Sequence, residues 1–412
     1  MAGIKSVIEG GVRFLLVVAL WLPSVAAAAD VESNPTYSEF DHVIALSPRQ
    51  RVHFDGSVVA PGAVIGLEGE GAHLVLHGLR GTADQPIVIV NRAGRGRSGS
   101  AEGDALRLSA CSHVELRGDG DPEVRYGIEL FQAGDQGLHI TDLSTDFAAS
   151  WLEIHHAGFA GVMAKTDPTW HSEPGGSGTP GAANRGKFVQ RKTRIHHMLI
   201  YDCPGEGMYV GHSFFSGIHA DRHDSRTPLL YPHELHGVSI AHNQVFRCGR
   251  EGIQVGSATH DVEIHHNLVY DCGLLGLAAQ SNGIQLGEGT TGRLSANTIV
   301  RTRANGVILL GRGDIRVEDN VIVDAGENAI FADSRPDTRV GSTYVFSRNT
   351  LLRPARHGLL VFDSHRKAMH STFTENLVVL TPGGSAVERH DHEERFMGAH
   401  VTVHGNTVAT LP

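Results

Sequence analysis

The sequence predicts an all-β solenoid, a stack of coils each built from short strands. Three observations lead there. A unit of the form I-x-x-N-x-V, a short turn and G-[IVLM]-x-[VL] recurs down the chain. Each unit consists of short β-branched runs divided by Gly, Asn and Pro. Helical periodicity of 3.6 residues is missing, while Gly supplies 50 of the 412 residues.

Taken in chain order, the first element is a leader. Lys5 and Arg13 precede FLLVVALWL (14–22), Pro23 and SVAAAAD, which reads as a charged region, a short apolar run and a small-residue cleavage site near Ala29. A signal peptide over 1–29 predicts an exported, periplasmic or secreted protein. No later apolar run reaches the ~20 residues of a spanning helix. Residues 30–60 are expected to form an N-terminal cap, and 61–412 the solenoid. A net charge of −10 without a long basic run argues against nucleic acid and anionic membrane surfaces as partners. Four cysteines are too few for a disulfide framework in a chain of this length.

The first coils are LVLHGLRG, PIVIVNRAG and LRLSACSHVELRG, strand-like but loosely repeated. The repeat sharpens from residue 195. IHHMLIYDCPGEGMYVG (195–211), IAHNQVFRCG (240–249) and IHHNLVYDCG (264–273) lead into later copies, and IHHAGFAGVMAK (154–165) reads as a weaker upstream one. Asn recurs at 243, 267, 297, 320, 349, 376 and 406, at intervals of 24, 30, 23, 29, 27 and 30 residues. Such a unit cannot bury its apolar side alone and must stack on its neighbours. The recurring Asn suits a left-handed turn position, with stacked amides bonding along the stack.

These residues resemble the right-handed parallel β-helix proteins, the pectate-lyase-like superfamily, over roughly residues 60–411. The resemblance implies that fold and, more generally, action on polysaccharides, because many chemistries share the scaffold.

Two insertions interrupt the repeat, at 165–193 and 212–237, both leaving the coil after the same strand. Alternation places Met208, Ile253 and Ile284 inside and turns Met163, Tyr209, Gln254, Gln285, Ile308, Phe331 and Leu360 outward. The position before the Gly adds Glu206, Glu251, Asn282 and Asn305. A groove is therefore expected between the two insertions, floored by Lys165, Tyr209, Glu206, Gln254, Glu251 and Gln285. It suits a chain of several sugars, so the expected partner is an acidic or neutral polysaccharide.

The run AGVMAK (160–165) is similar to the spacing that places the basic lysine of the chondroitinase-B and alginate-lyase group. That similarity implies a lyase acting on a uronic-acid-containing polymer by β-elimination. Lys165 and Tyr209 would move the proton α to the carboxylate, and His171, His212 and Arg222 would neutralise the carboxylate. Gln254, Gln285, Trp170 and Asn282 would contact the sugars. The group's calcium-holding acidic residues are replaced here by Gly158 and Ala160, so calcium is not carried over. A rival reading is a glycoside hydrolase using the stacked pair Glu206 and Glu251, since like charges at one coil's spacing raise a pKa. Another is a carbohydrate-binding or structural solenoid without catalysis.

The histidine columns (His156, His197, His242 and His266, with His155, His196 and His265 beside them) read as a structural ladder, because in-register side chains run parallel. The loop residues His212, His219, Asp221, His223 and Asp224 are the better metal candidates. Cys203, Cys248 and Cys272 share one column, as free core thiols or with one disulfide. The HDHE run (390–393) falls in a late insertion and matches no uronate-epimerase motif.

Overall fold

The computed structural model describes residue 37 and residues 39–169, 181–390 and 400–412. The leader, Trp170, His171 and most of the HDHE run lie outside the described residues. The described residues belong to one compact unit. They contain no helix long and apolar enough to cross a membrane.

Each coil of the regular part contributes three strands. In the best-formed coil these are Glu234–Ala241, Gln244–Cys248 and Ile253–Val255. Each pairs in parallel with its counterpart one coil back and one coil on. First and second strands together make a 23-stranded sheet, and third strands a 12-stranded one. This is a parallel β-helix. The strands are short because a corner follows every three to eight residues, and short strands are what the Gly-, Asn- and Asp-punctuated sequence permits. The stack begins at His42–Leu46 and Arg51–Asp55, which pair with Val64–Gly71 and His73–His77. Residues within the expected cap therefore already form a coil.

The interior is filled by columns of like residues. Ile195, Ile240, Ile264 and Leu294 stack on the first face, and Met208, Ile253, Ile284 and Val307 on the third, all 0% exposed. At Gly252, before the third strand, an added Cβ would lie 2.4 Å from Val269 Cγ1, so the corner turns too close to the core for a side chain. Cys203, Cys248 and Cys272 are buried free thiols, as is Cys111.

The asparagines line up as expected. Asn243 Nδ2 donates to Asn267 Oδ1 at 2.9 Å, Asn267 to Asn297 at 2.9 Å, and the chain of amides continues through Asn320, Asn349 and Asn376 to Asn406 at 3.0 Å each. The left-handed residue is not Asn, however, but the one before it: His242 (φ 58°), His266 (55°), Ala296 (54°), Asp319 (58°) and Arg348 (54°). The corner needs its left-handed step there, which frees the Asn side chain to turn inward and bond the neighbouring coil.

One repeat assignment is corrected. Glu153–His155 pair with Leu199–Tyr201, so Ile154 lies against Ile200 and not Ile195. Trp151, not His156, takes the place next to His197, their rings stacked 4.5 Å apart. His156 therefore leaves the column assigned to it. The IHH string misleads because both corners of a coil end a strand with a left-handed residue: His156 (φ 54°) after a second strand and His197 (φ 55°) after a first. His197, His242 and His266 do stack, at 5.0 Å centroid separation.

Candidate functional site

The third-strand register is the expected one. Met163, Tyr209, Gln254, Gln285, Ile308, Phe331 and Leu360 follow one another across adjacent strands. Ile308 is 3% exposed, and Phe331 and Leu360 are half-buried. The column also runs the other way, through His139 to Arg107, an extension the looser N-terminal repeat concealed.

The two insertions pack on each other. Asn184 bridges Pro232, and Arg185 N–H donates to Tyr231 O at 2.9 Å. The second then turns toward later coils. Ser257 Oγ donates to His212 O at 2.9 Å, Ser216 N–H to Glu288 at 3.0 Å, and Phe215 fills the space over Gly289. Its middle is an antiparallel hairpin, Ile218–Asp221 with Asp224–Leu230.

Where the insertions leave the coils, polar side chains converge. Lys165 Nζ lies 4.8 Å from the Tyr209 ring centroid and donates to Asp167 Oδ1 at 2.9 Å. The Lys165 side chain is 9% exposed, whereas Asp167 faces solvent at 66%. Tyr209 Oη pairs with Ser213 Oγ at 3.0 Å. His212 is buried beneath. Its Nε2 donates to Thr166 O at 3.0 Å, which leaves Nδ1 unprotonated, 3.5 Å from Asp167 Oδ1. Thr166 is also held through its N–H by His233 Nε2 at 3.2 Å, so both insertions are fastened at this point. Burial and then the Lys165 charge hold His212 well below the usual histidine range. Desolvation opposes ionisation of Asp167, yet the Lys165 charge outweighs it and holds the carboxyl well below its usual value.

His139 adds a second cluster just upstream. Its Nδ1 lies 3.0 Å from the carboxylate of Asp104, which also accepts from Arg107 Nε at 2.8 Å and, through Oδ1, from Gln136 N–H at 3.2 Å. Asp104 is fully buried and its pKa is lowered: burial opposes this, and His139 and Arg107 outweigh it. The polar strip that reaches solvent is thus Arg107, His139, Tyr209 and Asp167, with Lys165 buried between Tyr209 and Asp167.

Several expected floor residues are not on a floor. Glu206 and Glu251 are 1% and 0% exposed. They sit inside the corner column, where Arg250 approaches Glu206 at 3.4 Å and Asn282 Nδ2 donates to Glu251 at 3.0 Å. Burial pushes both carboxyls up, Glu251 to about 7. Asn282 is buried and continues as a ladder through Asn305 to Asn328. Gln254 and Gln285 point outward but are only 2% and 5% exposed. Alternation fixes direction, and it could not reveal what lies above. His212, buried and neutral, is not a cation at the surface. Arg222 is exposed at the hairpin tip, its guanidinium 5.8 Å from the Phe214 ring.

The loop metal candidates do not converge. His219 Nδ1 bonds Thr227 O, Asp221 accepts from His223 N–H, and Asp224 is held by Arg226 at 2.8 Å from two nitrogens. Calcium does not fit beside Lys165 either. Gly158 and Ala160 offer no side-chain oxygen, and a Cβ on Gly158 would fall 2.1 Å from Gly134 O.

Residues 182–322 match the family model described as right handed beta helix region, so the coil stack is a right-handed parallel β-helix. No curated protein sequence matches the chain. Among solved structures it is similar to an alginate lyase from a Paenibacillus species (14% identity, 86% of this chain and 94% of that one, TM-score 0.45). It is also similar to the A-module of a mannuronan C-5 epimerase from Azotobacter vinelandii (13%, 90% and 87%, 0.41). A third is a lacto-N-biosidase from Eubacterium ramulus (13%, 86% of this chain, 0.44), of whose length the match spans 63%. At these identities and scores the likeness is one of fold and carries no argument about chemistry.

Proposed function

We propose that the protein is an exported enzyme acting on an acidic polysaccharide, and that it cleaves a uronic-acid-containing chain by β-elimination. The observation that carries this reading is the convergence of Lys165 on Tyr209, 4.8 Å from ammonium to ring centroid, at the point where both insertions leave the coils. The geometry supports a division of labour. Tyr209, acting as the phenolate after its own proton has passed to solvent, takes the proton from the carbon α to the uronate carboxylate. The electron pair forms the new carbon–carbon double bond as the glycosidic C–O bond breaks, and the proton returns to the leaving oxygen. Lys165, its ammonium positioned by Asp167, stabilises the negative charge that builds on the carboxylate. Arg107 and His139, on the same strip, are further groups able to hold an anionic sugar.

The hydrolase reading loses support, because Glu206 and Glu251 are buried in a corner and an acid pair must reach both the glycosidic bond and its attacking group. The test is incubation with a panel of uronate polymers, following ultraviolet absorbance and reducing ends together. Elimination produces both signals and hydrolysis only the second. Absence of both across the panel would favour a binding solenoid.

A further inference from the structure

On a strand, adjacent side chains point to opposite sides and cannot meet. At three places this chain defeats that rule with consecutive histidines, the first ending a strand and the second left-handed. His155 and His156, His196 and His197, and His265 and His266 bring their Nδ1 atoms to 2.8, 2.9 and 2.9 Å. The left-handed step (φ 54–55° at the second residue) swings the following side chain back beside its predecessor. Stacking keeps rings parallel between coils, but within a coil these pairs converge.

We propose that His242, His265 and His266 bind a borderline divalent metal ion such as Zn²⁺, at the corner between first and second strands. The reasons are geometric. The ligand nitrogens of the three lie within 4.8 Å of one another. Bonds of ~2.0–2.1 Å at a tetrahedral angle separate two nitrogens by about 3.4 Å, so the His265–His266 pair need open by only about half an ångström. The His242 ring stands 5.0 Å from that of His266 and 5.7 Å from that of His265, close enough to supply a third imidazole. His242 and His266 are exposed and His265 half-buried, so the corner is reachable from solvent, with a fourth position left to water. Arg293, whose charge is felt at His265, is engaged by Glu318 at 3.1 Å. An all-imidazole set selects Zn²⁺, Cu²⁺ or Ni²⁺ over Ca²⁺ or Mg²⁺. Among the described residues the earlier pairs lack this arrangement. At His155 and His156 the next partners are carboxylates, Glu129 and Asp202. His242, though its ring also stacks 5.0 Å from that of His197, does not bring a ligand nitrogen within 4.8 Å of both His196 and His197.

The test uses the chelator-treated full protein and Co²⁺ as a spectroscopic probe, with Zn²⁺ in competition. The expected result is a visible Co²⁺ absorption band removed by one equivalent of Zn²⁺. Affinity should fall at least tenfold in His265→Gln, in His242→Gln and in His266→Asn, the last chosen because Asn tolerates the left-handed backbone. The double variant His196→Gln/His197→Asn should retain the site. As a check independent of any variant, Zn²⁺ should protect His265 and His266 of the natural sequence from diethyl pyrocarbonate, read by peptide mass. Absence of Co²⁺ binding, binding unchanged in the three single variants, loss only in the double variant, or no protection would overturn the proposal.

Discussion

The Lys165 ammonium stands over the face of the Tyr209 ring, 4.8 Å from its centroid, with each residue on a neighbouring coil. Coil stacking creates this contact. Tyr209 follows Met163 in the third-strand column, and Lys165 lies one step past the end of the Val162–Ala164 strand. If Tyr209 moves the proton as proposed, Tyr209→Phe should lower kcat by about a hundredfold or more, the usual worth of a positioned acid–base group. It should leave the melting temperature nearly unchanged. Polymer binding, measured by calorimetry, should persist.

Asp167 holds the Lys165 ammonium in place through a 2.9 Å hydrogen bond. Asp167→Asn removes that anchor, and the buried His212 offers no replacement charge. Lyase activity should drop by about tenfold, mostly in kcat. Asp167→Glu should restore part of it, whereas a purely structural role would show as a matching loss of melting temperature.

The carboxyl of Glu251 reports on burial. Its pKa is raised from an ordinary 4.5 to about 7 by burial first, with Glu206 adding and Asn282 and Arg250 opposing. A raised folded-state pKa means the stabilising contribution is complete below about pH 4.5 and is lost as pH rises through about 7. At ~1.36 kcal/mol per unit the loss is on the order of 3 kcal/mol. Denaturant unfolding should therefore show stability falling between these values, and Glu251→Gln should flatten that slope. An unchanged slope in the variant would mean the carboxyl is hydrated.

The amide ladder sets a different expectation. Asn297 accepts from Asn267 N–H and Nδ2 and donates to Asn320 Oδ1 and Ile264 O. Asn297→Ala orphans several buried groups, each worth about 1–3 kcal/mol. The loss of stability should exceed that of Asn406→Ala, where the ladder ends at the half-exposed terminal coil. Urea midpoints of the two variants decide it.

Ile253 and Gln254 test the register. Ile253→Asp buries an unpaired charge between two coils and should cost several kcal/mol. Gln254→Ala should cost about 1 kcal/mol. It points away from the core column yet is only 2% exposed, so its effect is not the near-zero of a surface residue.

What the sequence discloses follows from what the coil repeats. The Asn column, the third-strand register and the exit points of the insertions are each fixed by a pattern that recurs from coil to coil in the regular part, so Asn243 and Ile253 could be placed without coordinates. Trp151 could not, because its coil precedes the regular repeat and an IHH string occurs at the wrong corner. Burial was legible only for core positions. Glu206, Glu251 and Asn282 look like exposed turn residues until the corner is seen to fold inward over Gly207, Gly252 and Gly283. His139 and Arg107 were missed for the same reason as Trp151, although their alternation with Leu138, Ile140, Leu106 and Leu108 was a usable signal.

The most direct measurement is ultraviolet absorbance of uronate polymers treated with the natural protein and with the double variant Lys165→Ala/Tyr209→Phe. The account predicts a rise with at least one acidic polymer, with unsaturated uronate ends confirmed by product mass, and no rise with the double variant. Equal product from both proteins, or new reducing ends without unsaturation, would contradict it.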